Sequence, residues 1–267
     1  MVQMEDEFTL KYGRRPPKLT AALLLGPLLT GAMPKPPASV DGGQYFSGWQ
    51  MLGNDQAGDC VAVTWANQRA LVTAALDGTV RYPDQDQVWA FYRTQNPKFD
   101  PKGDPGTTGP GSPSDGGMDI QTALESLLHD GGPDGAKPAA FAKVDWQNER
   151  ELRLAHAIFG QVWYGVNVQR ANEQEFSAGR RWTYTAAGGS LGGHSVNGIG
   201  YAPRDYEFVT WAKATEWTES FRRHLVEEAW VVVWPENLGS KQFMEGINAS
   251  QLAADFQALT GRPMTAA

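Results

Sequence analysis

The stretch NDQAGDCVAVTWANQ, residues 54 to 68, decides how this chain is read. It holds the only cysteine of 267 residues, Cys60, where a polar, glycine-containing loop turns into a run with helical spacing. From Cys60 to Leu76 no Pro or Gly intervenes, Val61, Trp65, Val72 and Ala75 fall near one helical face, and Asp59 stands in the N-cap position. A cysteine in the first turn of a helix lies beside the partial positive charge of the helix N-terminus, which favours thiolate over thiol. Free cysteines are also common core residues, so Cys60 acquires chemical meaning only with a base supplied from elsewhere in the chain.

The best placed base is His194, which follows the flexible GGSLGG of residues 188 to 193 and opens the strand-like HSVNGIGY, so that its ring emerges at a strand mouth. His129 and His156 fall within helical patterns and His224 adjoins Arg222 and Arg223, where surface or packing roles are expected. Working outward, 84 to 94 reads as a second helix with Val88, Phe91 and Tyr92 at helical spacing. The Pro- and Gly-rich 96 to 117 reads as a long surface loop, whose Asp100, Asp104 and Asp115 match no calcium-loop spacing and are expected to be solvated. Ile120, Ala123, Leu124, Leu127 and Leu128 form a helical stripe stopped by Gly131-Gly132. A helix over 148 to 160 then feeds the strand QVWYGVNV. GGHSVNGIGYA and YEFVTWA read as strands joined at PRD, EAWVVVWP as a buried strand ended by Pro235, and TEWTESFRRHLVEE between them as a helical insertion. Helices gather in the first half and strands in the second, which predicts an α+β fold of two lobes rather than alternating βαβ units.

Composition narrows the function. The apolar fraction of 41% supports a real core, and a net charge of −7 without long single-sign blocks argues against nucleic-acid binding. One cysteine excludes an intramolecular disulfide, and four scattered histidines without companion thiols predict neither a metal nor a cofactor. KYGRRPPKLT followed by AALLLGPLLTGA has the outline of a leader. The apolar run is too short for a membrane span, Gly26-Pro27 interrupts it, and the segment MEDEF ahead of it is acidic, so residues 1 to 43 are expected to form an extended arm. The remaining divisions are a helical lobe over 44–145, a β-rich lobe with His194 over 146–234, and a C-terminal extension over 235–267, where Leu252, Phe256 and Leu259 form a candidate docking stripe.

Taken in order, PPASVD, NDQAGDC, DGGMDIQTALESLLHDGG, ERELRLAHAIFGQVWYGVNV, GGHSVNGIGY and YEFVTWA with EAWVVV resemble the papain-like cysteine peptidases from about residue 38 to 234. The resemblance implies a helical first lobe and an antiparallel β second lobe. It makes Cys60 the nucleophile and His194 the base, gives oxyanion stabilisation to Asn54 with the Cys60 backbone N–H, and makes Trp211 the shield of the histidine. The sequence also departs from the family. Val209 stands where the histidine-orienting asparagine belongs, Ala212 replaces a glycine, Val61 replaces an aromatic residue, Asn54 is one methylene shorter than glutamine, and no inhibitory propeptide is recognisable, only the short arm. Asp205 and Glu207 are candidates to orient the imidazole instead. With its W-x-M-L-G-N-D-x-x-G-D-C segment, the chain resembles divergent members encoded by bacteriophages and prophages. Two functions follow from that resemblance: a cysteine peptidase or amidase acting on a peptide-like amide, or a degenerate fold serving as a tail or head component. In the second case the arm and extension meet partner proteins and the location is the virion; otherwise it is cytoplasmic.

Overall fold

The protein is described by a computed structural model over residues 10–18, 20–32 and 35–264. Expectations that fall on 1–9, 19, 33–34 and 265–267, parts of the arm and of the C-terminal extension, lie outside the described residues.

The described part of the arm packs on the chain's own body. Its short helix α1 (Leu25–Leu28) buries Leu25 and Leu28 in the core, Leu23 joins them, and β1 (Val40–Asp41) pairs with the histidine strand. Helix α2 (Cys60–Leu76) is buried at every position from Cys60 to Thr73, polar Thr64, Asn67, Gln68 and Thr73 included, so it is a central rather than an amphipathic surface helix. Its one buried cation, Arg69, is matched by Asp134 and Glu236, each at 2.9 Å, and stacks 4.5 Å from the Trp234 ring. Helix α3 (Gln85–Tyr92) starts in a capping box between Asp84 and Gln87, and α4 (Ile120–Asp130) runs from an Asp119 cap to Gly131 at φ 82°.

After α4 comes β2 (Ala140–Lys143), which falls within the expected helical lobe over 44–145 but pairs with β7 in the sheet, followed by α5 (Glu149–Phe159), β3 (Val162–Gln169), α6 (Arg170–Ser177), β4 (Ser190–Tyr201), β5 (Asp205–Thr210) and β6 (Lys213–Thr218). Then follow α7 (Glu219–Leu225), β7 (Val226–Val233), α8 (Pro235–Leu238), α9 (Lys241–Gly246) and α10 (Ala249–Thr260). The strands form one antiparallel sheet in the order β2-β7-β3-β4-β5-β6, with β1 on β4. This is the expected α+β two-lobe arrangement.

Three local readings change. The insertion over 215 to 228 is helical only in its middle, because Thr215 and Trp217 extend β5 by a further antiparallel strand and Thr218 caps α7. The short β2 and α6 carry no strong periodicity and emerge only through their pairing with β7 and packing on β3. In the C-terminal extension Leu252 and Phe256 are spent on the same core as α1, and Leu259 alone of the stripe is exposed. No helix among the described residues is long and apolar enough to cross a membrane.

Candidate active site

Cys60 opens α2 and His194 lies on β4, and the two elements are tied together within one turn of the cysteine. Thr64, four residues along the same face as Cys60, accepts a 3.0 Å hydrogen bond from Ser195 Oγ, and Trp163 Nε1 donates to that Oγ at 2.8 Å. The Ser195 backbone N–H lies close enough to the Cys60 sulfur to favour its thiolate, which places the thiol beside the histidine strand.

The imidazole is fixed from two sides. Nε2 lies 2.7 Å from Thr210 Oγ1, and Trp211 stacks on the ring with centroids 4.4 Å apart. Val209 points to the opposite face of β5, into a cluster with Trp49, Leu71 and Ile199. The orienting acceptor missing at Val209 is therefore supplied by its neighbour Thr210. Asp205 and Glu207 do not take that role: Asp205 pairs with Arg181 at 2.9 Å, and Glu207 stands opposite Gly200 and Glu216 in the sheet. When Nε2 carries the proton and Thr210 accepts it, the lone pair of Nδ1 is uncommitted, and Nδ1 has no hydrogen-bond partner among the described residues.

Trp211 gains its position from a two-residue hairpin between β5 and β6, closed by the Thr210–Lys213 pair. Both turn residues, Trp211 at φ 41° and Ala212 at φ 62°, are left-handed, as such a turn requires. Neither is glycine, so the turn is strained where it seats the ring on His194.

On the oxyanion side, Asn54 is buried, and its amide donates to Ala57 O at 3.4 Å and to Asp59 Oδ1 at 3.2 Å. Asp59 occupies the N-cap position without capping; its carboxylate turns to Asn54, and burial holds it well above the usual carboxylate range. The loop before Cys60 is braced by Asp115, which accepts from Gly58 N at 2.9 Å, Tyr92 Oη at 2.5 Å and Gly111 N at 2.8 Å. Asp115 is thus a bracket rather than a solvated loop residue; Asp100 and Asp104 accept only from backbone N–H groups of their own exposed turns. Among the described residues no three His, Cys, Asp or Glu side chains gather as metal ligands would.

The arm covers all of this. Arg14 N donates to Gly193 O at 3.0 Å, Met118 N to Gly13 O at 2.7 Å, and Arg15 N to Met118 O at 2.8 Å, so the segment bridges the two lobes like a strand laid in the cleft. Gly13 lies against the Gly58 backbone, and its own N–H lies close enough to the Cys60 sulfur to favour its thiolate. The Tyr12 ring meets His194 and Trp211 edge-on, each at 5.8 Å, and its hydroxyl donates to Glu173. The guanidinium of Arg14 is buried between Glu227 and Glu228. Beneath this cover Cys60 and His194 are 1% and 0% exposed. Burial pushes the thiol up to about 12 and the imidazole down to about 3, where the nearby Arg14 charge also disfavours protonation. The covered pair is a neutral thiol and a neutral imidazole. The sequence contained the signals for this cover in GRR of the arm and in the consecutive Glu227-Glu228 opening a buried strand, but nothing in periodicity brings them together.

Comparison with solved structures identifies the architecture. Xylellain, a cysteine protease from Xylella fastidiosa, superposes with a TM-score of 0.63 at 13% identity, over 87% of this chain and 99% of that one. Procathepsin B from Trypanosoma congolense gives 0.56 at 11%, over 85% and 86%, and procathepsin L 3 of the Tenebrio molitor larval midgut gives 0.53 at 11%, over 85% and 76%. The chain has the papain-like fold. No family model and no curated protein matches the sequence.

Proposed function

We propose that the chain is a cysteine peptidase or amidase held latent by its own arm. The observation that carries this reading is the imidazole held at Nε2 by Thr210 and clamped by Trp211, with Nδ1 uncommitted, on a strand whose next residue touches the Cys60 sulfur. In the uncovered site Cys60 passes its proton to His194 Nδ1 and the sulfur adds to a substrate carbonyl carbon. The resulting oxyanion is held by the Cys60 N–H and by the Asn54 amide, which turns from Asp59 to reach it. The imidazolium returns its proton to the leaving amine as the C–N bond breaks. Water, deprotonated by His194, then releases the acyl group from sulfur. Lifting the arm rehydrates both groups, which removes the main cause of their neutral state. The fold shared with cysteine proteases supports this reading, and so does the fact that two of those structures are pro-forms.

The second reading, a phage tail or head component that kept the fold without the chemistry, draws on the family resemblance, on Val209 at the orienting position and on the apolar arm and C-terminal extension. Of the stripe it would offer to partners, Leu252 and Phe256 are buried in the chain's own core, while Leu259 is exposed, as is Leu24 of the arm.

The test is hydrolysis of a peptide library by the full chain carrying Gly13→Ala, with products read by mass spectrometry and Cys60→Ala in the same background as control. Cleavage that vanishes with Cys60→Ala supports the reading. Absence of any Cys60-dependent cleavage sinks it.

A further inference from the structure

At the end of β5 remote from His194, a cleft of about 350 Å³ opens between the start of α5, the turn joining β4 to β5, and α7. The strand carries Asp205 and Tyr206 at this end and Thr210 at the other, so about 17 Å of extended chain separates the cleft from the imidazole. Four arginines line it. Three are held by carboxylates: Arg153 by Glu149 at 2.8 Å, Arg181 by Asp205 at 2.9 Å and Arg223 by Glu219 at 2.7 Å. Glu219 also serves Arg222, which is buried behind the cleft, and the fourth lining arginine, Arg204, is exposed with no partner among the described residues. Five guanidinium groups thus share three carboxylates, which leaves two positive charges unmatched in a chain whose net charge is −7.

A hydrogen-bond donor is unspent as well. Tyr206 is 1% exposed, and its hydroxyl lies among the charges of Arg153, Arg222 and Glu219 on the inner wall of the cleft. The proton of that hydroxyl has no acceptor among the described residues. A buried donor without an acceptor costs free energy, and an occupant with acceptor oxygens removes that cost. Guanidinium forks, a phenolic O–H and a local charge of two together form the complement of a doubly charged oxyanion.

We propose that this cleft binds a phosphate monoester in its dianionic form, with Arg204 and Arg223 as the cations at its mouth and the Tyr206 hydroxyl donating to a phosphate oxygen within. A phosphate ester has its second pKa near about 6, so it carries the two charges at neutral pH and offers three acceptor oxygens. The site is remote from Cys60 and stands whether or not the chain cleaves amides.

The experiment is calorimetric titration of the full chain at about 0.15 M salt, where attraction to scattered surface charge is screened. The probes are glycerol 2-phosphate, inorganic phosphate and methyl sulfate, which has the same three terminal oxygens and a single negative charge. Glycerol 2-phosphate is expected to bind with a Kd of about 1 mM or tighter, and methyl sulfate at least about tenfold more weakly. Inorganic phosphate separates the sources: affinity equal to that of the ester assigns the site to the phosphate group alone, and weaker affinity assigns it to an organic ester. Arg204→Ala and Tyr206→Phe are each expected to weaken ester binding at least about fivefold. Arg204 is exposed and unpaired, so its variant decides the matter should Tyr206→Phe fold poorly. No saturation by about 20 mM ester, equal affinity for the ester and methyl sulfate, or unchanged affinity in Arg204→Ala overturns the site. Cys60→Ala should bind the ester as the parent does, so this result and the outcome of the peptidase test are read independently.

Discussion

Thr210 Oγ1 sits 2.7 Å from His194 Nε2, one residue away from the position where the sequence appeared to have lost its orienting group. An antiparallel strand shows alternate residues to opposite faces, so Val209 enters the Trp49–Leu71–Ile199 cluster while Thr210 turns to the imidazole. A hydroxyl can accept from Nε2 as an amide oxygen can, and that selects the tautomer with a free Nδ1.

Thr210→Val should therefore weaken the dyad without unfolding the chain. In a Gly13→Ala background, Cys60 alkylation by iodoacetamide at about pH 6, read by intact mass, is expected to fall by about tenfold or more, while Thr210→Ser retains most of the rate. An unchanged rate in Thr210→Val would show that the imidazole needs no acceptor.

Gly13→Ala should open the cleft. Any Cβ at residue 13 collides with the Gly58 backbone, which Asp115 holds in place and which cannot rotate aside as a side chain would. In the parent chain the covered thiol, pushed up to about 12, should alkylate very slowly near pH 7. The variant should react at least about tenfold faster, and a rate equal to that of the parent would mean that the arm does not control access.

His156 gives a pH dependence with a definite sign. It is fully buried beside Tyr164, its Nε2 lying 2.8 Å from the hydroxyl, and burial lowers it from 6.5 to about 3. Between those values the folded chain binds fewer protons than the unfolded chain. The group's contribution is complete above pH 6.5 and is lost as pH falls toward 3, at about 1.4 kcal/mol per unit. Urea unfolding of parent and His156→Gln at about pH 7, 6 and 5 should show their stability gap narrowing at that rate below pH 6.5. A gap that stays constant would mean that His156 is protonated in the folded chain.

Ala212→Gly should stabilise. The residue has φ 62° in the turn after Trp211, a conformation that costs a side-chain-bearing residue roughly 1 kcal/mol and glycine nearly nothing. A rise of a few tenths to about 1 kcal/mol in urea unfolding is expected, offset in part by the greater freedom of glycine in the unfolded chain. A loss of stability would contradict the strained-turn account.

Most of the scaffold was legible because its signals are local. The span Cys60–Leu76 is uninterrupted helix-compatible sequence, Ile120 to Leu128 is a clean stripe closed by glycine, and β3, β5 and β7 are rich in valine and aromatic residues. The site was legible only as far as its order along the chain permitted. Cys60 could be singled out from its helix-start position, whereas His194, expected at a strand mouth, lies inside β4, which already begins at Ser190, and is fully buried; whether Val209 or Thr210 faces the ring depends on which face of β5 turns inward, and buried alternation on both faces hides that. Asp115 resembles any other loop aspartate until Gly58, Tyr92 and Gly111 converge on it. The arm's occupation of the cleft needed the meeting of residues more than a hundred positions apart, Gly13 with Met118 and Arg14 with Gly193, which no pattern of spacing encodes.

Leu23 is core, and its carbonyl accepts from Lys143 N at 2.8 Å, whereas Arg15 is the last arm residue bonded to Met118. The polypeptide between them is a short tether. A blocking segment on such a tether rebinds at an effective concentration on the order of millimolar, whatever the protein concentration in solution. A peptide in free solution must outcompete that local supply, so even a well-matched one should have a weakened apparent affinity for the parent chain. Scission of a single bond between Arg15 and Leu23 would turn this rebinding into ordinary dilution-dependent dissociation, while leaving Leu25 and Leu28 anchored where they are.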